Sequence, residues 1–180
     1  MRLARLLVPA LLALPAVAPA QMTASSDPEM AVPAAAMRDG QTFLYAAGQS
    51  DVFEITSSQV ALKRSRNPQV RAFAQQMIAD HTQTTNNALA SSKAANVMAP
   101  PPVLDARQRA MIAELDGVPA SQFDATYVRQ QLQSHRMTLD TVSGYARDGD
   151  NPTLKRTAQA TVPIVTQHLR HAEMLASRMR

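Results

Sequence analysis

Cysteine and tryptophan are both absent from these 180 residues, only five glycines occur, and aromatics make up 4% of the chain. Without cysteine there can be no disulfide staple, no thiolate metal ligand and no cysteine nucleophile. The scattered glycines form no phosphate-cradling loop, and neither a serine-centred nucleophile elbow nor an EF-hand spacing occurs. Tyr45, Tyr127 and Tyr145 are too few to interleave with basic residues as a stacking platform, so a nucleic-acid partner is not expected. A formal charge of +4 and a pI near 10.0 count groups and do not make a patch. Few β-branched alternations occur, which points to an all-α fold.

Apolar runs are also scarce, except at the start. Residues 1–20 place Arg2 and Arg5 before the short apolar stretch Leu6–Leu14, and end in Ala18-Pro19-Ala20. That pattern is a signal peptide with cleavage near Ala20, and removing it takes the formal charge to +2. The stretch is short for a bilayer span of about 20 residues and carries two prolines. No cysteine follows it, so lipid attachment there is excluded. The expected location is the periplasm or the extracellular space, with no transmembrane segment in the mature chain. Residues 21–40 mix Pro, Ser, Ala and Met without a period and read as a flexible N-terminal segment, leaving 41–177 as the folded domain.

Four long helices account for that domain. The first is expected over about Gln41–Lys63, with Leu44, Ala47, Asp51, Glu54, Ile55, Ser58 and Leu62 at helical steps. Asn67-Pro68 then supplies a cap and a first-turn proline for the second, which runs to about Ala95. Its stripe is Val70, Phe73, Ala74, Met77, His81, Ala88 and Leu89. Pro100-Pro101-Pro102 cannot be helical, and a short extra helix over about Asp105–Leu115 follows in the connector. Its Met111, Ile112 and Leu115 give it reason to pack. The third long helix is expected over about Ser121–Arg147, and the fourth over about Pro152–Ser177 after a second Asn-Pro start. Pro163 inside the fourth is expected to disturb one turn. Short end loops make the arrangement an antiparallel four-helix bundle.

Histidine supplies the candidate chemistry. His81 shares a face with Met77 and Phe73; His135 stands between Leu132 and Leu139; His168 stands between Val165 and Ala172. Glu54 is the acidic member on the first helix, and a carboxylate on an inward stripe is costly to bury without a partner. Glu54 lies 13 residues before Asn67 and His81 lies 14 after it, so a hairpin holds them at equal depth. His135 and His168 lie 16 before and 17 after Asn151, again level; the connector leaves the relative height of the two hairpins open. Neutral imidazole and carboxylate are normal ligands for a single zinc, iron or manganese ion. Asp80, Asp124, Tyr127 and His171 are candidates for the shell that orients such ligands. Taken singly, a core histidine is more often a hydrogen-bonded structural residue.

Several of these residues also carry a family likeness. Asn67-Pro68-x-Val70-x-x-Phe73-Ala74-x-x-Met77-Ile78-x-Asp80-His81 resembles the domain of unknown function 4142 family, exported bacterial proteins with a ferritin-like four-helix fold. Phe43-Leu44-x-x-Ala47, Glu54, Phe123-Asp124-x-x-Tyr127-Val128, His135 and Val162-Pro163-x-x-x-x-His168-Leu169-x-x-Ala172 extend the resemblance over about 41–176. It implies a helical bundle with Glu54, His81, His135 and His168 as the central set, and it implies no known reaction. Di-iron enzymes of that fold use two Glu-x-x-His pairs. Here Ile78 and Val165 occupy the acidic positions, which argues against a dinuclear oxygen-activating centre. The leading expectation is an exported, non-catalytic bundle that binds a metal ion or small ligand through its inward Glu/His cluster. A metal-dependent enzyme, or a purely structural envelope protein with a peripheral or protein partner, are the alternatives.

Overall fold

Residues 38–179 are described in the computed structural model, and every regular element among them is a helix. They are α1 (Gly40–Arg64), α2 (Pro68–Ala95), α3 (Ala106–Gly117), α4 (Ala120–Asp148) and α5 (Pro152–Ser177). The signal segment 1–20, its cleavage point and residues 21–37 of the N-terminal segment lie outside the described residues.

Local chemistry sets the helix starts. The first amides of a helix have no partner within it, so a side-chain oxygen just before the helix is worth having. Asp39 accepts from the Thr42 amide at 2.8 Å, and Asn67 accepts from that of Gln69 at 2.9 Å. Asn151 accepts from both Thr153 and Leu154, at 2.9 and 3.2 Å. Pro68 and Pro152 fill first-turn positions that need no amide hydrogen. Asp105 and Gln108 cap α3 reciprocally. α2 stops where Asn96 turns into the left-handed region, φ 53°. α5 runs unbroken through Pro163, so the turn there tolerates the missing amide donor. Leu89, expected on the inner stripe of α2, is instead 57% exposed, because the buried part of that helix ends at His81.

Three-residue connectors, 65–67 and 149–151, turn α1 back along α2 and α4 back along α5. At the first turn the Arg71 guanidinium donates to the carbonyls of Leu62 and Ser65. The two hairpins then meet, α1 against α4 and α2 against α5, while α3 lies on α1 and α4. Two apolar clusters result. One holds Phe73, Met77, Leu115, Phe123, Tyr127 and Leu175; the other holds Phe43, Leu44, Val142, Tyr145, Leu154 and Val165. Full burial of each such leucine or phenylalanine contributes about 1.5–3 kcal/mol. Each of the four long helices passes from one cluster to the other, and the residues between them are polar: Asp51 and Glu54 on α1, His81 on α2, His135 on α4 and His168 on α5.

The long connector between α2 and α4 lies along α1. The Gln41 side chain donates to the carbonyl of Met98, and that of Gln49 to Val103, both at 2.8 Å. Pro102 sits so close to Gly48 that an added Cβ would stand 2.9 Å from its ring. At the far end the Arg64 guanidinium donates to the carbonyls of Leu115, Asp116 and Val118 and lies 5.0 Å over the Phe123 ring.

Because Asn67 and Asn151 hold amides that the helices cannot satisfy, Asn67→Ala and Asn151→Ala should each cost about 1 kcal/mol. Urea denaturation midpoints read this directly, and unchanged midpoints in both variants would refute the capping roles.

Candidate metal centre

The polar layer is built from residues that helix periodicity brings inward from all four long helices. His81, His135 and His168 are 3%, 1% and 1% exposed. Their ring centroids form a nearly equilateral triangle with sides of 5.7, 5.4 and 5.4 Å. One nitrogen from each lies within 4.8 Å of the other two. Metal–nitrogen bonds of about 2.0–2.1 Å would put tetrahedral ligand nitrogens roughly 3.3 Å apart, so a modest inward shift closes the triangle on an ion.

The outer nitrogens are all held. His81 Nδ1 bonds Asp51 Oδ1 at 2.8 Å, His135 Nδ1 bonds the carbonyl of Gln131 at 2.9 Å, and His168 Nε2 bonds Asp80 Oδ2 at 2.8 Å. Each acceptor fixes a ring orientation and places the proton on the outer nitrogen. The remaining three nitrogens, His81 Nε2, His135 Nε2 and His168 Nδ1, are buried and have no hydrogen-bond partner among the described residues. With outer protons so placed, the inner nitrogens of the neutral rings are all acceptors and cannot bond one another.

Electrostatics act differently on the three rings. Burial opposes protonation of His81, but its bond to Asp51 and the charges of Glu54, Asp51 and Asp80 outweigh burial and raise its pKa. Burial dominates at the other two rings. It lowers His135 despite Glu54, and lowers His168 to about 4 despite Asp80.

Of the residues expected to form the centre, the three histidines converge and Glu54 stands beside them. Its Oε1 is 3.6 Å from His135 Nδ1, too long for a hydrogen bond. It therefore approaches the ring from the Nδ1 side, already held by Gln131, and not from the Nε2 side. Both Glu54 oxygens are buried, and neither accepts a hydrogen bond among the described residues. The arrangement is three imidazoles with an adjacent carboxylate, not four equivalent ligands.

The outer candidates divide. Asp80 holds His168, while its side chain remains 39% exposed. Tyr127 instead pairs with the Ser58 hydroxyl at 2.8 Å, and burial pushes its phenol well above the ordinary range. His171 faces Gln76 at 3.3 Å and meets Phe73 edge-on, and Asp124 keeps one buried oxygen unpartnered. None of these three bonds one of the convergent rings among the described residues. Tyr127 lies eight residues before His135 on α4, and His171 three residues after His168 on α5. Asp51 is the functional residue that sequence reasoning passed over. It also accepts from Thr84 at 3.1 Å and Thr85 at 2.8 Å. The available signal was its position three residues before Glu54, on the same face of α1.

A family model described as Domain of unknown function (DUF4142) matches residues 24–175. Two solved structures share the fold. A DUF305 fragment from Deinococcus radiodurans is 18% identical, with TM-score 0.67, over 77% of this chain and 95% of that one. CopM in the Cu(II)-bound form is 13% identical, with TM-score 0.66, over 79% and 98%. No curated protein matches the sequence.

Glu54 generates a test. A carboxylate buried without a donor is costly, and Glu54→Gln removes the charge at nearly constant volume. In the metal-free protein this variant should be as stable as the parent or more so, by up to about 2 kcal/mol. Tyr127→Phe, which strands the Ser58 hydroxyl, should cost about 1–3 kcal/mol under the same conditions. A destabilised Glu54→Gln protein would show that Glu54 has a donor and is ordinary packing.

Proposed function

Since this chain belongs to the DUF4142 family, a domain of unknown function, we propose that it is an exported metal-binding protein whose three buried histidines hold one transition-metal ion. One observation carries the reading: three buried imidazoles converge, and each has one nitrogen with no hydrogen-bond partner among the described residues while its opposite nitrogen is held. A purely structural network would leave three buried acceptors unsatisfied, at about 1–3 kcal/mol each. A metal ion satisfies all three at once. The carboxylates of Asp51, Glu54 and Asp80 supply the compensating charge, and two of them form the carboxylate–histidine arrangement that orients metal ligands.

An all-imidazole set narrows the ion. It suits copper and zinc better than manganese, which prefers oxygen donors. CopM shares the fold and is known in a Cu(II)-bound form, which puts copper first among the ions to test. We read the packing of the four long helices as an antiparallel, ferritin-like bundle, supported by the two hairpins and by α1 on α4 and α2 on α5. Export rests on the signal-like residues 1–20, and agrees with the lack of any described helix long and apolar enough to cross a membrane. The cavity beside His81, ≈ 30 Å³, has room for about one water molecule or an ion.

The mature chain, purified without a histidine tag, should bind one equivalent of Cu(II) or Zn(II) by calorimetry, with nitrogen coupling in the Cu(II) paramagnetic resonance spectrum. Replacing His81, His135 or His168 with Gln should weaken binding at least a hundredfold, and Asp51→Asn or Asp80→Asn about 10–100-fold. Stoichiometric binding that survives loss of all three histidines would overturn the assignment, as would failure to bind either ion.

A further inference from the structure

Among the three carboxylates of the histidine layer, Glu54 is the one whose charge is left uncompensated. Asp51 is engaged by His81, Thr84 and Thr85, and Asp80 by His168 and by solvent at a side chain 39% exposed. Glu54 is 1% exposed, and neither of its oxygens accepts a hydrogen bond among the described residues. Donors further along the same face of α1 are committed elsewhere. The Ser57 hydroxyl donates to the backbone carbonyl of Glu54, the Gln131 side chain donates to Ser57, and Ser58 pairs with Tyr127. Nor does Glu54 orient a ring, because the Gln131 carbonyl holds His135 Nδ1 at 2.9 Å and Glu54 stands 3.6 Å from that nitrogen. We propose that Glu54 acts on the bound ion through its charge, from outside the ligand set, and makes the centre select a divalent cation over a monovalent one. The proposal rests on the metal-binding reading above and adds which charge state the centre is built to hold.

Neutral imidazole serves several transition metals, so three histidines alone discriminate weakly by valence. That discrimination has to come from fixed charge around them. The Coulomb energy between Glu54 and an ion is proportional to the ion's charge, and so is twice as large for Zn(II) as for Ag(I) at the same place. Apolar clusters lie on both sides of the layer, so a charge within it is screened far less than one at the surface. The Glu54 charge already acts on His81 and His135, where it opposes the loss of protonation that burial causes. Nitrogens of those two rings lie within 4.8 Å of one another and of His168, so the field reaches the space the three enclose. Asp80 is screened by solvent and Asp51 is partly offset by its hydrogen bonds, which leaves Glu54 as the strongest source of valence preference.

Valence also supplies the test, because each ion is compared with itself and its size and ligand preference cancel. In the mature chain, Glu54→Gln should weaken Ag(I) binding by about tenfold and Zn(II) binding by about the square of that, a hundredfold. Glu54→Leu should give the same ratio, and carries the comparison if the glutamine is not accommodated. Glu54→Asp keeps the charge and should keep most of the preference. Asp80→Asn, which removes a solvated group that orients His168, should weaken the two ions to within about threefold of each other. With copper bound, Glu54→Gln should raise the Cu(II)/Cu(I) potential by about 59 mV, the one-electron equivalent of a tenfold change, and leave the nitrogen coupling of Cu(II) unaltered. Equal losses for Zn(II) and Ag(I), or an unmoved potential, would reduce Glu54 to packing; an altered Cu(II) coupling pattern would make it a ligand. Each of these results overturns the proposal. A wild-type chain that binds neither Zn(II) nor Cu(II) refutes the functional reading itself, an outcome distinct from equal losses in a protein that binds.

Discussion

Everything in this protein is arranged around the cost of keeping three imidazoles and their carboxylates in the middle of a helical core. Ionised and hydrogen-bonding groups belong in water, and a core that buries them must satisfy them or be weakened. The two apolar clusters on either side supply the stabilisation that such a layer lacks. Each is knit from all four long helices, so neither hairpin can splay without exposing leucine and phenylalanine. The layer is thereby held at fixed depth, and its side chains have little choice of partner. Asp51, the Gln131 carbonyl and Asp80 take the outer nitrogens; nothing among the described residues takes the inner ones.

The three carboxylates differ in burial, and the difference gives each a separate physical part. Asp80 is partly solvated, so it orients His168 at small desolvation cost. Asp51 is buried but receives hydrogen bonds from His81 and two threonines, which replace much of its lost hydration. Glu54 has neither solvent nor a hydrogen bond, and it is the residue most exposed to the penalty of an isolated charge. A cation within a few ångströms of Glu54 would relieve that penalty without touching it, because Coulomb attraction in a low-dielectric interior does not need contact.

Much of the architecture was legible in the sequence because it depends on local rules. The Asn67-Pro68 and Asn151-Pro152 starts, the Asp105 cap and the periodic stripes each act within a turn or two of chain. The inward placement of His81, His135 and His168 follows from the same periodicity, and the equal depth within each hairpin follows from counting residues to the turn. What could not be read was rotation at the level of single side chains. Periodicity turns Glu54 inward, yet cannot say which side of the His135 ring it reaches. Asp51 lies on the same stripe, three residues before Glu54, but no local rule says that its carboxylate reaches across to His81 on α2. The carbonyl of Gln131 carries no residue signature at all. Tyr127 and His171 fell among the candidates by residue type, and their partners, Ser58 and Gln76, lie on other helices.

The connector from α2 to α4 supplies what counting along the hairpins could not. It is fastened to α1 at successive points, Met98 by Gln41, Pro102 on Gly48, Val103 by Gln49, and Leu115 to Val118 by Arg64. α1 thus works as a ruler against which the second hairpin is measured out. A helix advances about 1.5 Å per residue, so a single residue gained or lost between Pro102 and Leu115 shifts His135 and His168 against His81 by a distance comparable with a metal–ligand bond. The length of a connecting segment that contributes none of the three histidines is therefore a dimension of the histidine layer itself, and evolution or design can detune that layer by editing residues that are not part of it.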